Sequence, residues 1–210
     1  MTKLKICGVT LADDAARASA AGADYVGLNF WPKSKRHLAP ERAALIASAA
    51  RGAGNAEVVG VFVDADPDEI TAVMALVDLD VIQLHGKESP EEVVAVAVAT
   101  KRPVWKAIAV AASSDLDRLE SWPAEALILD ARSPGSGRTF DWELAKEARR
   151  RYPARLFALA GGLHAENVGA AIAAVQPWAV DVASGVEAAP GVKDAAKIAA
   201  FVAAVRGAAS

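Results

Sequence analysis

The chain has 210 residues, of which 53% are hydrophobic and 23% charged, so it is long enough and apolar enough to bury a sizeable core. A formal net charge of −3 with no concentrated Lys/Arg run leaves no electrostatic footprint for nucleic acid or an anionic membrane, and small molecules are the expected partners. Residues 1–5 have no apolar stretch behind them of the kind a signal peptide needs, no segment approaches the roughly 18 apolar residues of a membrane span, and a single cysteine forms no internal disulfide. A cytoplasmic location is the expectation.

Eight short apolar or β-branched runs follow one another along the chain: 3–7, 24–30, 57–63, 80–84, 103–110, 126–130, 155–160 and 178–182. Between them lie alanine-rich stretches with helical spacing, at 11–21, 40–51, 67–77, 90–100, 142–152, 165–175 and 194–206. The Ser89-Pro90-Glu91-Glu92 segment supplies an N-cap serine, a proline at the first helical position and a glutamate placed for a capping box, and residues 66–69 resemble it. The stretch 112–121 is weaker and predicts a short or irregular helix. The strands read as nearly continuous apolar runs, the pattern of a parallel sheet covered by helices. Eight such units at a repeat near ~26 residues predict an α/β fold, one (β/α)8 TIM barrel domain over residues 1–210. A doubly wound open sheet is the runner-up, but Cys7-Gly8-Val9-Thr10 after the first strand is no dinucleotide fingerprint.

In such a barrel the active site lies where strands end, and polar and glycine residues gather at those ends. Two glycine-bearing turns, 158–163 and 181–187, follow the seventh and eighth strands. Freed backbone amides of Gly161, Gly162 and Gly185, with the Ser184 hydroxyl, suit a phosphate dianion; the plainer alternative is that the glycines permit tight turns. The basic loop 32–37 is either a solvated segment or an anion clamp, with Arg36 the side chain best suited to grip a carboxylate with two hydrogen bonds. The Gly/Ser segment within 130–142 is either a cover over a bound ligand or an ordinary loop.

Asp130 closes an apolar run and suits general-acid work, or else terminates its strand. Cys7 ends the first strand, where a thiolate can act as a base; the common state of a lone cysteine is a small buried hydrophobe. His85, in the Gln83-Leu84-His85-Gly86 turn, can hydrogen-bond substrate or shape the pocket. The histidines and carboxylates show no metal-ligand spacing, so no metal site is expected.

Taken in order, the segments 5–10, 22–43, 59–64, 81–89, 127–142, 159–168 and 180–194 are similar to those of the phosphoribosylanthranilate isomerase family of tryptophan biosynthesis, from first strand to last helix. The resemblance implies an Amadori rearrangement of N-(5-phosphoribosyl)anthranilate without cofactor or metal. It further implies Cys7 as general base, Asp130 as general acid, Arg36 on the anthranilate carboxylate, and Gly161, Gly162, Ser184 and Gly185 on the phosphate. Thr10 is expected to cap the first helix. Related indole-glycerol-phosphate chemistry would ask for a lysine and glutamate at strand ends, and Lys106 has no glutamate on a neighbouring strand end. Trp31, His37, Ala183 and the Leu163-His164 pair depart from the residues most frequent in the family. Either a monomer or a homodimer is compatible with the sequence.

Overall fold

The computed structural model describes residues 1–131 and 141–208. Strands β1 (Lys3–Cys7), β2 (Tyr25–Asn29), β3 (Glu57–Phe62), β4 (Val81–Leu84), β5 (Val104–Val110), β6 (Ala126–Ala131), β7 (Leu156–Leu159) and β8 (Ala179–Val182) pair in sequence order, all parallel. The registers of β1 on both β2 and β8 close the sheet into a barrel, which removes the open-sheet alternative. Helices α1 (Ala12–Ala20), α2 (Pro40–Ala53), α3 (Pro67–Met74), α4 (Pro90–Thr100), α5 (Trp142–Arg151), α6 (Val168–Val175) and α7 (Ala195–Gly207) alternate with them. After β5 there is a 3-10 turn at Ser113–Arg118 in place of a full helix, as the weak pattern there foretells.

Local chemistry accounts for several boundaries. Asp66 with Glu69 and Ser89 with Glu92 form complete capping boxes behind a proline at the first helical turn. At α1 the expected Thr10 cap does not form. Leu11 holds the cap position, and the Thr10 hydroxyl instead donates to the Gly191 carbonyl at 2.7 Å, tying the first loop to the last.

Side chains alternate along each strand, so one set packs under the helices and the other fills the barrel. Leu4, Ile6, Val26, Leu28, Ile82, Leu84, Leu127, Leu129, Val180 and Val182 belong to the outer layer. Tyr25, Val59, Val81, Trp105, Ala107, Ala126, Ile128, Ala158 and Ala179 fill the interior. The barrel floor is aromatic: Trp105 meets Tyr25 and Trp178 edge-on, with centroids 4.8 and 5.3 Å apart. Towards the carboxyl ends the same interior rows turn small and then polar, at Gly27, Ala107 and Ala158 and then at Lys5, Cys7, Gln83, Asp130 and Asp181. The sequence thus closes one end of the barrel with rings and opens the other for a ligand.

Candidate active site

Cys7 is the last residue of β1, and its Sγ leans over β2 at Gly27, where an added Cβ would stand 2.9 Å from the sulfur. Burial pushes the thiol above its ordinary range; Lys5 and then Lys193 work against that shift, and Asp181 adds to it. Gly8 follows with φ +70, and a Cβ there would lie 2.2 Å from Arg36 Cδ. The Arg36 side chain therefore crosses directly above the Gly8 backbone, beside Cys7. Only a residue without a side chain gives it that passage.

Arg36 sits in a loop folded back on the end of β2. Asn29 Oδ1 accepts from the Trp31 amide and Asn29 O from the Leu38 amide, while Ser34 Oγ accepts from the Arg36 amide. The guanidinium donates through Nε and Nη2 to both Glu187 oxygens, at 2.6 and 2.7 Å, leaving Nη1 with no hydrogen bond among the described residues. Glu187 begins β9 (Glu187–Ala189), which pairs antiparallel with β10 (Val192–Lys193) in a hairpin the periodicity did not announce. It also accepts from Lys193 Nζ at 3.0 Å and the Gly191 amide at 3.1 Å. Lys193 in turn donates to the carbonyls of Cys7 and Ala183, so one buried ammonium joins the ends of β1 and β8. Arg36 is thus an already oriented cation with one edge still open.

Asp130 lies near the end of β6, with a side chain 12% exposed. Its Oδ2 is 3.6 Å from His85 Nε2. Gln83 Nε2 lies 3.2 Å from His85 Nδ1, so the Gln83 amide holds the ring with its Nε2 edge turned towards the carboxyl. The His85 turn is itself clamped. Glu88 accepts from the amides of Asp64 and Gly86, and Lys106, buried beside Glu88 at 3.1 Å, donates to the Gly86 carbonyl. Lys106 therefore does have a glutamate partner, supplied by a loop and employed in holding the rim.

The two glycine turns meet. A Cβ on Gly185 would fall 1.9 Å from the Leu163 carbonyl oxygen, so the turn after β8 packs against the turn after β7. Gly161 and Gly162 adopt φ +87 and +68, and their amides donate no hydrogen bond to the described residues. Asn167 fixes this turn by donating to the Gly162 carbonyl and accepting from the His164 amide. Helix α6 begins at Val168, just behind it. The short 3-10 turn Ser184–Val186 brings Ser184 to the same edge.

All eight residues singled out in the sequence, Cys7, Arg36, His85, Asp130, Gly161, Gly162, Ser184 and Gly185, therefore stand at the carboxyl ends of the strands. By strand order β6 and β1 flank β7 and β8, which places the glycine turns between Asp130 and Cys7. The Gly/Ser segment expected to cover a ligand lies at 132–140, outside the described residues. Missed from sequence were Lys5, Asp181, Glu187 and Lys193; Lys5 and Asp181 were signalled by a charge between apolar neighbours on a barrel strand, while Glu187 and Lys193 lie in the short hairpin after β8 and carried no such signal. No group of three potential metal ligands occurs among the described residues.

Comparisons with known proteins agree with this fold. The family model described as N-(5′-phosphoribosyl)anthranilate (PRA) isomerase matches residues 4–204. An N-(5′-phosphoribosyl)anthranilate isomerase of Rhizobium meliloti (strain 1021) is 41% identical, covering 98% of this chain and 97% of its own length. The crystal structure of phosphoribosyl anthranilate isomerase from Thermotoga maritima superposes with a TM-score of 0.90 at 41% identity, covering 99% of this chain and 100% of that one. A further solved phosphoribosyl anthranilate isomerase, in complex with reduced 1-(o-carboxyphenylamino)-1-deoxyribulose 5-phosphate, superposes with a TM-score of 0.87 at 40% identity over 99% of this chain and 100% of that one.

Proposed function

The chain belongs to the N-(5′-phosphoribosyl)anthranilate isomerase family of tryptophan biosynthesis, and on that premise we propose how its rim divides the work of the isomerisation. The substrate, N-(5-phosphoribosyl)anthranilate, carries a phosphate at one end and an aromatic carboxylate at the other. The phosphate sits on the amides of Gly161, Gly162 and Gly185 with the Ser184 hydroxyl, at the head of α6. The carboxylate meets the open Nη1 edge of Arg36, whose other edge Glu187 already holds.

Between these anchors the sugar spans from Asp130 to Cys7. Asp130, as the carboxylic acid, protonates the furanose ring oxygen, the C1–O bond breaks, and the anilino nitrogen takes up the positive charge as an iminium. Cys7 thiolate then removes the proton from C2, the electron pair neutralises the iminium, and the enol formed at C2 settles to the ketone as C1 gains a proton. The iminium acidifies that C–H bond, so a base of moderate strength suffices. His85 Nε2, 3.6 Å from Asp130 Oδ2, stands beside the carboxyl that gives up this proton.

The observation that carries this reading is the strand order: acid on β6, base on β1, and between them two adjoining glycine turns able to take a phosphate. Cys7 is the only cysteine in the sequence, so alkylation provides a direct test. Complete modification by iodoacetamide should abolish turnover, followed as loss of anthranilate fluorescence from freshly made substrate, and the reduced product analogue should protect the thiol. Full turnover by completely alkylated protein would remove Cys7 from the chemistry.

A further inference from the structure

Two charges lie in the barrel beneath Cys7, and the acid–base scheme does not use them. Lys5 precedes Cys7 by two residues on β1 and so points the same way, into the interior. Its Nζ lies 2.9 Å from Asp181 Oδ2 on the paired strand β8, with side chains 2% and 10% exposed. Taking an ammonium and a carboxylate out of water costs several kcal/mol for each ion, and apolar residues of similar size are often as good for stability or better. The interior residues around this pair are apolar rings and small side chains. Packing gives no reason for a salt bridge there.

The reason lies one residue pair higher. The point above Gly27 that a Cβ would occupy is 2.9 Å from Cys7 Sγ and 3.2 Å from Lys5 Cε, so both side chains lean into the space this glycine leaves. Asp181 uses Oδ2 on Lys5, while its Oδ1 is buried with no hydrogen-bond partner among the described residues. It serves as a counter-ion for Lys5 and not as the hub of a structural network. Although burial works to lower it, the Lys5 ammonium is held above its ordinary range by Asp181 and then by Cys7. Asp181 therefore keeps Lys5 charged even in the half of the cycle when Cys7 carries the substrate's proton.

We propose that Lys5, locked in place by Asp181, is a positioning residue for the reaction, its ammonium serving as the counter-charge that opposes burial and favours a Cys7 thiolate aimed at the substrate. The inference rests on Cys7 being the base. Lys5 touches no substrate and exchanges no proton in the cycle. The other charged groups facing Cys7 are Lys193 of β10, beneath its carbonyl, and Arg36 of the loop after β2, across Gly8; Asp181 of β8 opposes all three.

Lys5→Met tests this through a property that a purely structural role would not move, the pH dependence of alkylation at the sole cysteine. An opposite charge at this range is worth roughly one to three pH units, so the midpoint of the iodoacetamide rate profile should rise by about that much. The kcat/KM profile should move upward with it, leaving neutral-pH activity about 10-fold or more below the unmodified chain and recovering in alkali. Should the single change unfold the protein by stranding Asp181, Lys5→Met with Asp181→Asn removes both charges. Lys5 acts on the sulfur more strongly than Asp181 does, so the midpoint should still rise, by less. An unshifted alkylation midpoint in a folded variant overturns the role given to Lys5, whatever happens to turnover. A shifted thiol with an unshifted kcat/KM profile overturns instead the reading of Cys7 as the base, and with it the catalytic meaning of Lys5.

Discussion

Gly185→Ala separates the phosphate anchor from the rest of the site. Gly185 is not in the left-handed region, so alanine meets no intrinsic backbone strain there; its difficulty is the Leu163 carbonyl oxygen, 1.9 Å from the new Cβ. Ordinary contact begins at 3.4 Å, so the two turns must part by about 1.5 Å, and neither partner is a flexible side-chain end that can swing aside. Hydrogen bonds to a phosphate tolerate a few tenths of an ångström, and a displacement of this size forfeits one or two charge-assisted bonds worth about 1.5–3 kcal/mol each. One lost bond predicts phosphate binding weakened by about 10- to 100-fold. The assay is competitive inhibition by inorganic phosphate, alongside KM for the freshly made substrate and a urea unfolding curve to verify the fold. KM and the phosphate inhibition constant should rise together, with kcat falling less than kcat/KM. If a folded Gly185→Ala protein binds phosphate within twofold of the original, the anchor is not where these turns meet.

Other consequences follow from the cluster around Arg36. Glu187→Gln leaves the guanidinium and the buried Lys193 without their carboxylate, so KM should rise about 10-fold as Arg36 loses its orientation, and des-carboxy substrate analogues should be affected less. Burial pushes the Glu187 carboxyl up, but Arg36, Lys193 and the Gly191 amide outweigh it and hold it below its ordinary value of 4.5. The folded state therefore binds fewer protons than the unfolded one as acid is added. Its contribution to stability is complete above that ordinary value and is lost as pH falls through the lower, folded one. Asp24, held down in the same direction by Lys3, Arg206 and the Leu4 amide against its own burial, adds to the effect. Urea midpoints should drop between about pH 5 and about pH 3, and less steeply in Glu187→Gln. A midpoint that rises on acidification would contradict the sign.

Residues that repeat a pattern made the barrel legible in the sequence, and residues that break it formed the site. Apolar runs such as 126–130 and capping boxes such as Ser89–Glu92 report local rules, and local rules fixed the order of the elements. The strand ends carried Cys7, Asp130 and the glycine turns because a change from apolar to polar or glycine is visible without knowing any contact. Arg36 was visible as a basic loop residue, but its partner was not: Glu187 lies 151 residues away in sequence and meets it only once the barrel closes. Lys5 and Asp181, 176 residues apart, are invisible as a pair for the same reason. Thr10 shows the reverse failure, a local capping rule overridden by a long-range hydrogen bond to Gly191.

The division of labour between Asp130 and Cys7 is tested most directly by the turnover of two single variants, the isosteric Asp130→Asn and the truncation Cys7→Ala, against freshly made N-(5-phosphoribosyl)anthranilate. Each removes one proton-transfer group while leaving the anchors at Arg36 and the glycine turns in place. The expected result is a loss of about 10²- to 10⁴-fold in kcat for each variant, with KM changed only a few-fold and both proteins folded. A folded variant of either kind that retains most of its kcat would contradict the account.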